Sequence, residues 1–153
     1  MDTVLDTAPT HVMKRLSTKP TVYLMDGSNF AMRFWEKSGG TSPGELEREF
    51  MSWLGEISRT ETLRASCFRV VFDGPYRKSG AAGPSVTVYY SDSEPADDML
   101  VERGYFMQSE GIRAIIVTSD NGLRERAAAE GVKTMTCETF QHMAQAELRK
   151  DIR

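Results

Sequence analysis

The sequence is poor in the residues that build soft-metal or disulfide-stabilised sites, with 2 Cys and 2 His among 153 residues. Cys67 lies inside an apolar run and Cys137 just after another, the placement of small buried hydrophobes in a reduced cytoplasmic protein, so no disulfide is expected. An excess of positive charge is also missing. Lys plus Arg total 19 and Asp plus Glu total 22, and 19 − 22 = −3 gives no global attraction for a polyanion, so any nucleic-acid contact must use a local basic patch. Residues 1–20 mix acids with Thr, Ala and Pro and contain no apolar stretch of signal-peptide or membrane-spanning length; residues 1–19 are expected to form a flexible tail. Neither Gly-rich stretch, Ser38 to Thr41 or Ser79 to Pro84, has the spacing of a phosphate-cradling loop, and both are expected as mobile connections. There is no internal repeat.

What the chain does contain is an alternation of short β-rich runs and amphipathic segments, the pattern of βα units building a mostly parallel sheet. At this length one compact domain, residues 20–153, suffices to bury a core. Five strands are expected: Thr21 to Met25, Cys67 to Phe72, Val86 to Tyr90, Ala114 to Thr118 and Lys133 to Thr136. Leu46, Phe50, Trp53, Leu54 and Ile57 recur at helical spacing after Ser42 and Pro43, which suit an N-cap and a first turn. Further helices are expected from about Pro95 to Ser109, Gly122 to Glu130 and Thr139 to Arg149, with Gly111 and Gly131 as stops for the first two.

Ligands of an open parallel sheet bind beyond the carboxyl ends of its strands, where loops converge and helix N-termini point their amides. Asp26 follows the first strand, Asp73 the second and Asp120 the fourth, while Glu94-Pro95-Ala96-Asp97-Asp98 opens a helix after the third. Any one of these acids can be a turn or helix-cap residue. Four successive junctions on one edge all carrying Asp is a stronger pattern, because Ser, Thr or Asn would serve a turn as well. Two carboxylates about 4 Å apart repel by about 4 kcal/mol at an effective dielectric of 20. Such a cluster calls for raised pKa values or a cation, and oxygen ligands without His or Cys favour Mg²⁺ or Mn²⁺ over Zn²⁺.

The stretches Leu24-Met25-Asp26-Gly27-Ser28-Asn29, Val70-Val71-Phe72-Asp73-Gly74, Glu94-Pro95-Ala96-Asp97 and Val117-Thr118-Ser119-Asp120 resemble, in order and spacing, the NYN domains of the YacP type within the PIN-like nuclease superfamily. Arg124-Glu125-Arg126-Ala127 and Glu138-Thr139-Phe140 extend the likeness, which runs from Tyr23 to about Phe140. The resemblance implies a three-layer Rossmann-like α/β domain, a five-stranded sheet with helices on both faces, and metal-dependent endoribonuclease activity with Mg²⁺ or Mn²⁺. It places Asp26, Asp73, Asp97 and Asp120 at the metal, with Asp26, Asp97 and Asp120 as the catalytic set. Asn29 would orient the first acid or a substrate oxygen, and Asp97 is preferred over Asp98 because it follows the Glu-Pro-Ala stretch directly. RNA is the implied partner, ribosome-associated mRNA among its possible forms.

Arg33, Arg77, Lys78, Arg124 and Arg126 fall near the same sheet edge and are candidates for phosphate contacts, or else ordinary surface charge. Phe34 and Trp35 suit helical core packing or base stacking. His142, far from every acid junction, is read as surface or satisfied core. A haloacid-dehalogenase-like phosphatase needs a second acid where Ser28 stands, and a receiver domain needs a Lys after the last strand, where Cys137 and Glu138 stand. Flap-type 5′ nucleases share the Asp-Gly-Ser-Asn phrase but are longer, which ranks RNA above DNA. The rival class is a module of the same fold that binds RNA, a ribosome or a protein and uses its acids only as turns and caps.

Overall fold

The computed structural model describes residues 15–35, 42–78 and 82–152. Residues 1–14 of the expected tail, all of Ser38 to Thr41 and Ser79 to Ala81 lie outside the described residues, as do the side chains of Phe34 and Trp35. Five strands, β1 (Val22–Asp26), β2 (Cys67–Phe72), β3 (Val86–Tyr90), β4 (Ala114–Val117) and β5 (Lys133–Met135), form one sheet in the order β3-β2-β1-β4-β5. All four pairings are parallel. The described helices are α1 (Gly27–Trp35), α2 (Pro43–Ser58), α3 (Ala96–Ser109), α4 (Asn121–Ala129) and α5 (Cys137–Ile152). None is long and apolar enough to cross a membrane.

The strands sort their side chains by the period of two that a sheet imposes. Tyr23, Met25, Phe68, Val70, Phe72, Ile115 and Val117 point into the larger core, which holds Phe30 of α1, Phe50 and Leu54 of α2, and Phe140 of α5. Leu24, Val71, Ala114 and Ile116 point the other way, into a smaller core with Leu100 of α3 and Leu123 and Ala127 of α4. The larger core is rich in rings: Tyr23 stacks on Phe68 at 5.3 Å and Phe30 packs against Phe50 at 4.8 Å. Leu16, only 4% exposed, joins this core, so the chain is anchored several residues before β1 begins.

Local signals account for most helix ends. Ser42 and Glu45 form a reciprocal capping box at the start of α2, with Pro43 in its first turn. Gly111 and Gly131 adopt φ of 79° and 76° just beyond α3 and α4, the left-handed geometry that ends a helix cheaply only at glycine. α1 is the element that periodicity does not announce, because Asp26-Gly27-Ser28-Asn29 reads locally as a turn. One expectation needs correcting. Cys137 is buried, but Cys67, the first residue of β2, is exposed. Both thiols are free.

Candidate active site

The strand order reverses between β1 and β4, and the crevice at that reversal is where an open parallel sheet offers its binding site. Asp26, the last residue of β1, stands on one side of it and Asp120, the N-cap of α4, on the other. A cleft of about 690 Å³ at this edge is lined by Asp26, Asn29, Asp73, Asp97 and Asp120, together with Ser28 and the Asp92–Ala96 turn. Residues from four separate strand ends therefore share one opening.

Asp26 is 7% exposed and is held at both oxygens: Oδ1 accepts the Asn29 backbone N–H at 3.3 Å and Oδ2 accepts the Thr118 hydroxyl at 2.9 Å. Thr118 also accepts the backbone N–H of Asp120 at 3.1 Å, and Asp120 Oδ1 caps α4 through the Leu123 N–H at 3.1 Å. One hydroxyl thus links the ends of β1 and β4. On the other side, Asp73 Oδ1 accepts the Ser91 hydroxyl at 3.1 Å and the Ala96 N–H at 3.4 Å, while the Asp73 N–H donates to Ser28 Oγ at 3.0 Å. Asp97, in the first turn of α3, has no hydrogen bond to its carboxylate among the described residues. Its neighbour Asp98 pairs with Arg126 at 2.8 Å. The cleft receives Asp97, and the α4 cation takes Asp98.

Burial pushes the Asp26 carboxyl up from 3.8 to about 6, against the lowering effect of its Thr118 and Asn29 hydrogen bonds, and repulsion from Asp97 and Asp120 adds to the rise. Asp97 is raised as well, first by desolvation and then by repulsion from Asp120, which Arg126 partly offsets. A folded-state pKa above the unfolded value means that the native protein binds the extra proton. This contribution to stability is complete below about pH 4 and is lost as pH rises through about 6. Metal-free protein is therefore expected to melt at lower temperature at pH 7 than at pH 5, by an amount equivalent to about 1 kcal/mol. Melting curves in chelator across that range check it; a stability that increases over this interval would contradict the Asp26 environment.

The donor set suits a hard divalent ion. Every candidate ligand is a carboxylate oxygen, and the buried Cys137 thiol, pushed up to about 12 by desolvation, is no thiolate at neutral pH. Among the described residues no three acids, His or Cys converge into a ready cage. Mg²⁺ does not require one, because it keeps several waters and is usually held by one or two protein carboxylates. The cleft geometry and its like-charge repulsion therefore fit such an ion.

Asn29 is positioned by a network that sequence reasoning did not find. Its Oδ1 accepts the Ser119 N–H at 3.0 Å and the Cys137 thiol at 3.4 Å, and the residue lines the cleft. Ser119 donates its hydroxyl to Glu138, which also takes Arg33 at 2.8 Å. Arg33 is thus tied to α5. Arg77 forks onto Glu47 at 3.1 and 2.7 Å and lies over the Phe72 and Tyr90 rings, while Arg124 reaches Thr134 at 3.4 Å and Lys78 is exposed. Neither these four nor Arg126 lines the cleft. His142 is on the surface. Thr118, Ser91 and Ser119 are the structural partners missed from sequence; their contacts span 18 to 92 residues and leave no local signal.

The family model described as YacP-like NYN domain matches residues 23–153. Two solved structures of Rae1 (YacP) from Bacillus subtilis superpose on the chain. The W164L mutant gives a TM-score of 0.68 at 16% identity, over 85% of this chain and 78% of that one. The other Rae1 (YacP) structure gives 0.66 at 16% identity, over 86% and 76%. No curated protein matches the chain.

Proposed function

The chain belongs to the YacP-like NYN domain family, a PIN-like nuclease family, and on that premise we propose that it is a metal-dependent endoribonuclease hydrolysing RNA phosphodiester bonds in the cleft at the β1–β4 crevice. The observation that carries the reading is the delivery of Asp26, Asp73, Asp97 and Asp120 from four strand ends into one cleft. Turn and cap chemistry at each junction does not require that convergence.

Asp26 and Asp120 would hold the ion across the crevice, with Asp73 shaping its surroundings or a second position. Bound Mg²⁺ or Mn²⁺ supplies a lowered pKa for water and charge stabilisation at the phosphate. Asp97, whose carboxylate takes no hydrogen bond among the described residues and whose pKa is raised, is the group suited to accept a proton from water as the water oxygen attacks phosphorus and the bond to the leaving ribose oxygen breaks. Asn29, its carbonyl already engaged, can donate its amide N–H to a phosphate oxygen. Arg33 and Arg124 are within the elements that frame the cleft, and Lys78 follows the Asp73 turn; any phosphate contact by Arg33 or Arg77 competes with an existing ion pair.

Purified protein is expected to cleave single-stranded RNA with Mn²⁺ and to stop on chelation, and Asp97→Asn is expected to lower kcat by about 10²- to 10⁴-fold with little change in melting temperature. Equal cleavage by wild type and variant would overturn the assignment. A second reading, a non-cleaving RNA-binding module, is favoured by one feature: Asp26, Asp73 and Asp120 already accept hydrogen bonds as turn and cap residues. Metal-indifferent RNA binding without any cleavage would select it.

A further inference from the structure

The loop that follows Asp73 carries Tyr76, which is 76% exposed, although nothing in turn chemistry asks for a large ring there. The ring is not loose. It packs edge-to-face with Tyr90 at 5.2 Å, the planes at 72°, and Tyr90 itself stacks on Phe72 of the core at 6.0 Å. The next residue, Arg77, fixes the loop from below: its guanidinium forks onto buried Glu47, donates to the Pro75 carbonyl at 2.8 Å and covers Phe72 and Tyr90. Gly74 is tied to the opposite wall, donating to Ser91 Oγ at 2.9 Å and accepting the Asp92 N–H at 2.8 Å.

Position gives this ring a use. Asp73 and Gly74, just before Tyr76 in the chain, line the cleft, as do Asp92 and Ser93, just after its packing partner Tyr90. Tyr76 does not itself line the cleft but stands two residues beyond that wall, largely exposed, with exposed Lys78 two residues further on. A largely exposed ring held by a single edge-to-face contact is an arrangement on which an unpaired base can stack, and because its loop is already pinned, little ordering cost accompanies binding.

Resting on the nuclease reading above, we propose that Tyr76 is a stacking platform for an unpaired nucleobase of RNA that enters the cleft past the Asp73–Gly74 wall. Paired bases present no free face to it. Tyr76 is then a substrate-positioning residue, and its ring, not its hydroxyl, does the positioning.

The test uses fluorescently labelled oligoribonucleotides, measuring binding by anisotropy in the Asp97→Asn background and cleavage in the otherwise unaltered protein. Tyr76→Ala is expected to weaken binding and raise KM by about 5- to 100-fold, with kcat little changed, the range that base–aromatic stacking supplies. Tyr76→Phe and Tyr76→Trp should retain affinity. An abasic nucleotide moved along the oligonucleotide should reproduce the loss at one position in the Tyr76-containing protein and cause no further loss there in Tyr76→Ala, a coupling that a merely structural role would not produce. Equal affinity of the Ala variant for every oligonucleotide, or base-independent loss, would overturn the platform. Binding that shows the coupling without any Mn²⁺-dependent cleavage would instead overturn the nuclease reading and leave the platform standing.

Discussion

Asp26→Asn is expected to produce a protein that is more stable without metal, insensitive to metal, and inactive. At pH 7 the wild-type carboxylate is ionised while 7% exposed and facing Asp97 and Asp120, and its rise from 3.8 to about 6 measures the strain of that charge as about 3 kcal/mol. Asn keeps the shape, can still accept the Asn29 N–H, and can donate its amide to Thr118 Oγ1, so the charge is removed at the cost of the acceptor that the Thr118 hydroxyl now uses. The gain should be about 2 to 3 kcal/mol, or about 5 to 10 °C for a chain of this size. Mg²⁺ or Mn²⁺ at a hundred times its dissociation constant should raise wild-type stability by about 2.7 kcal/mol and the variant much less. Loss of a mere outer-shell partner typically costs about 10- to 100-fold in metal affinity or activity, so loss of a ligand should reduce cleavage by roughly 100-fold or more. Parallel melting curves in chelator and in millimolar metal decide the matter. A destabilised variant, or one with an undiminished metal response, would show that Asp26 is a structural acceptor and not part of an ion site.

The candidate site was partly legible in sequence because an acid at the end of a strand is marked by two local features, residue type and junction position. Hence the four junction acids could be read off, as could β2 and β3 with their bounds. What could not be read depends on groups far along the chain. Whether Asp97 or Asp98 turns to the cleft is settled by Arg126 of α4, which captures Asp98. Whether Arg77 is free for phosphate is settled by Glu47, 30 residues earlier, which is 8% exposed and needs its partner. Tyr76 gave no periodic signal because it lies in a loop, and its significance comes from Tyr90. Thr118 looked like the end of an apolar strand, yet parallel pairing of Met25 with Val117 brings its hydroxyl beside Asp26.

The crevice geometry rests on Gly27. α1 starts directly after Asp26, and it can do so only because Gly27 lets the helix lie against β2: a Cβ there would come within 2.7 Å of Phe72 Cε1 and Val70 Cγ1, both in the core. The requirement is one of space, since Gly27 is not among the glycines with positive φ. Phe72 cannot yield easily, being fully buried and packed edge-on against Phe50 at 6.4 Å. Gly27→Val should therefore force α1 away from the sheet, at a cost of about 3 kcal/mol or more and a fall in melting temperature of roughly 5 to 10 °C. The displacement acts on function through two contacts with little slack, the 3.3 Å bond from the Asn29 N–H to Asp26 and the bond from the Ser119 N–H to Asn29 Oδ1. Cleavage should drop well beyond what the unfolded fraction at assay temperature accounts for, because small misplacements of positioning groups cost about 10²-fold. Gly44→Ala, in the first turn of α2 with its nearest neighbour the flexible Arg48 tip at 3.6 Å, is the matched control and should stabilise slightly or not at all. A Gly27→Val protein that melts with wild type would mean that β2 and α1 have room to separate, and the tight junction would then not be what holds Asp26 and Asn29 in register.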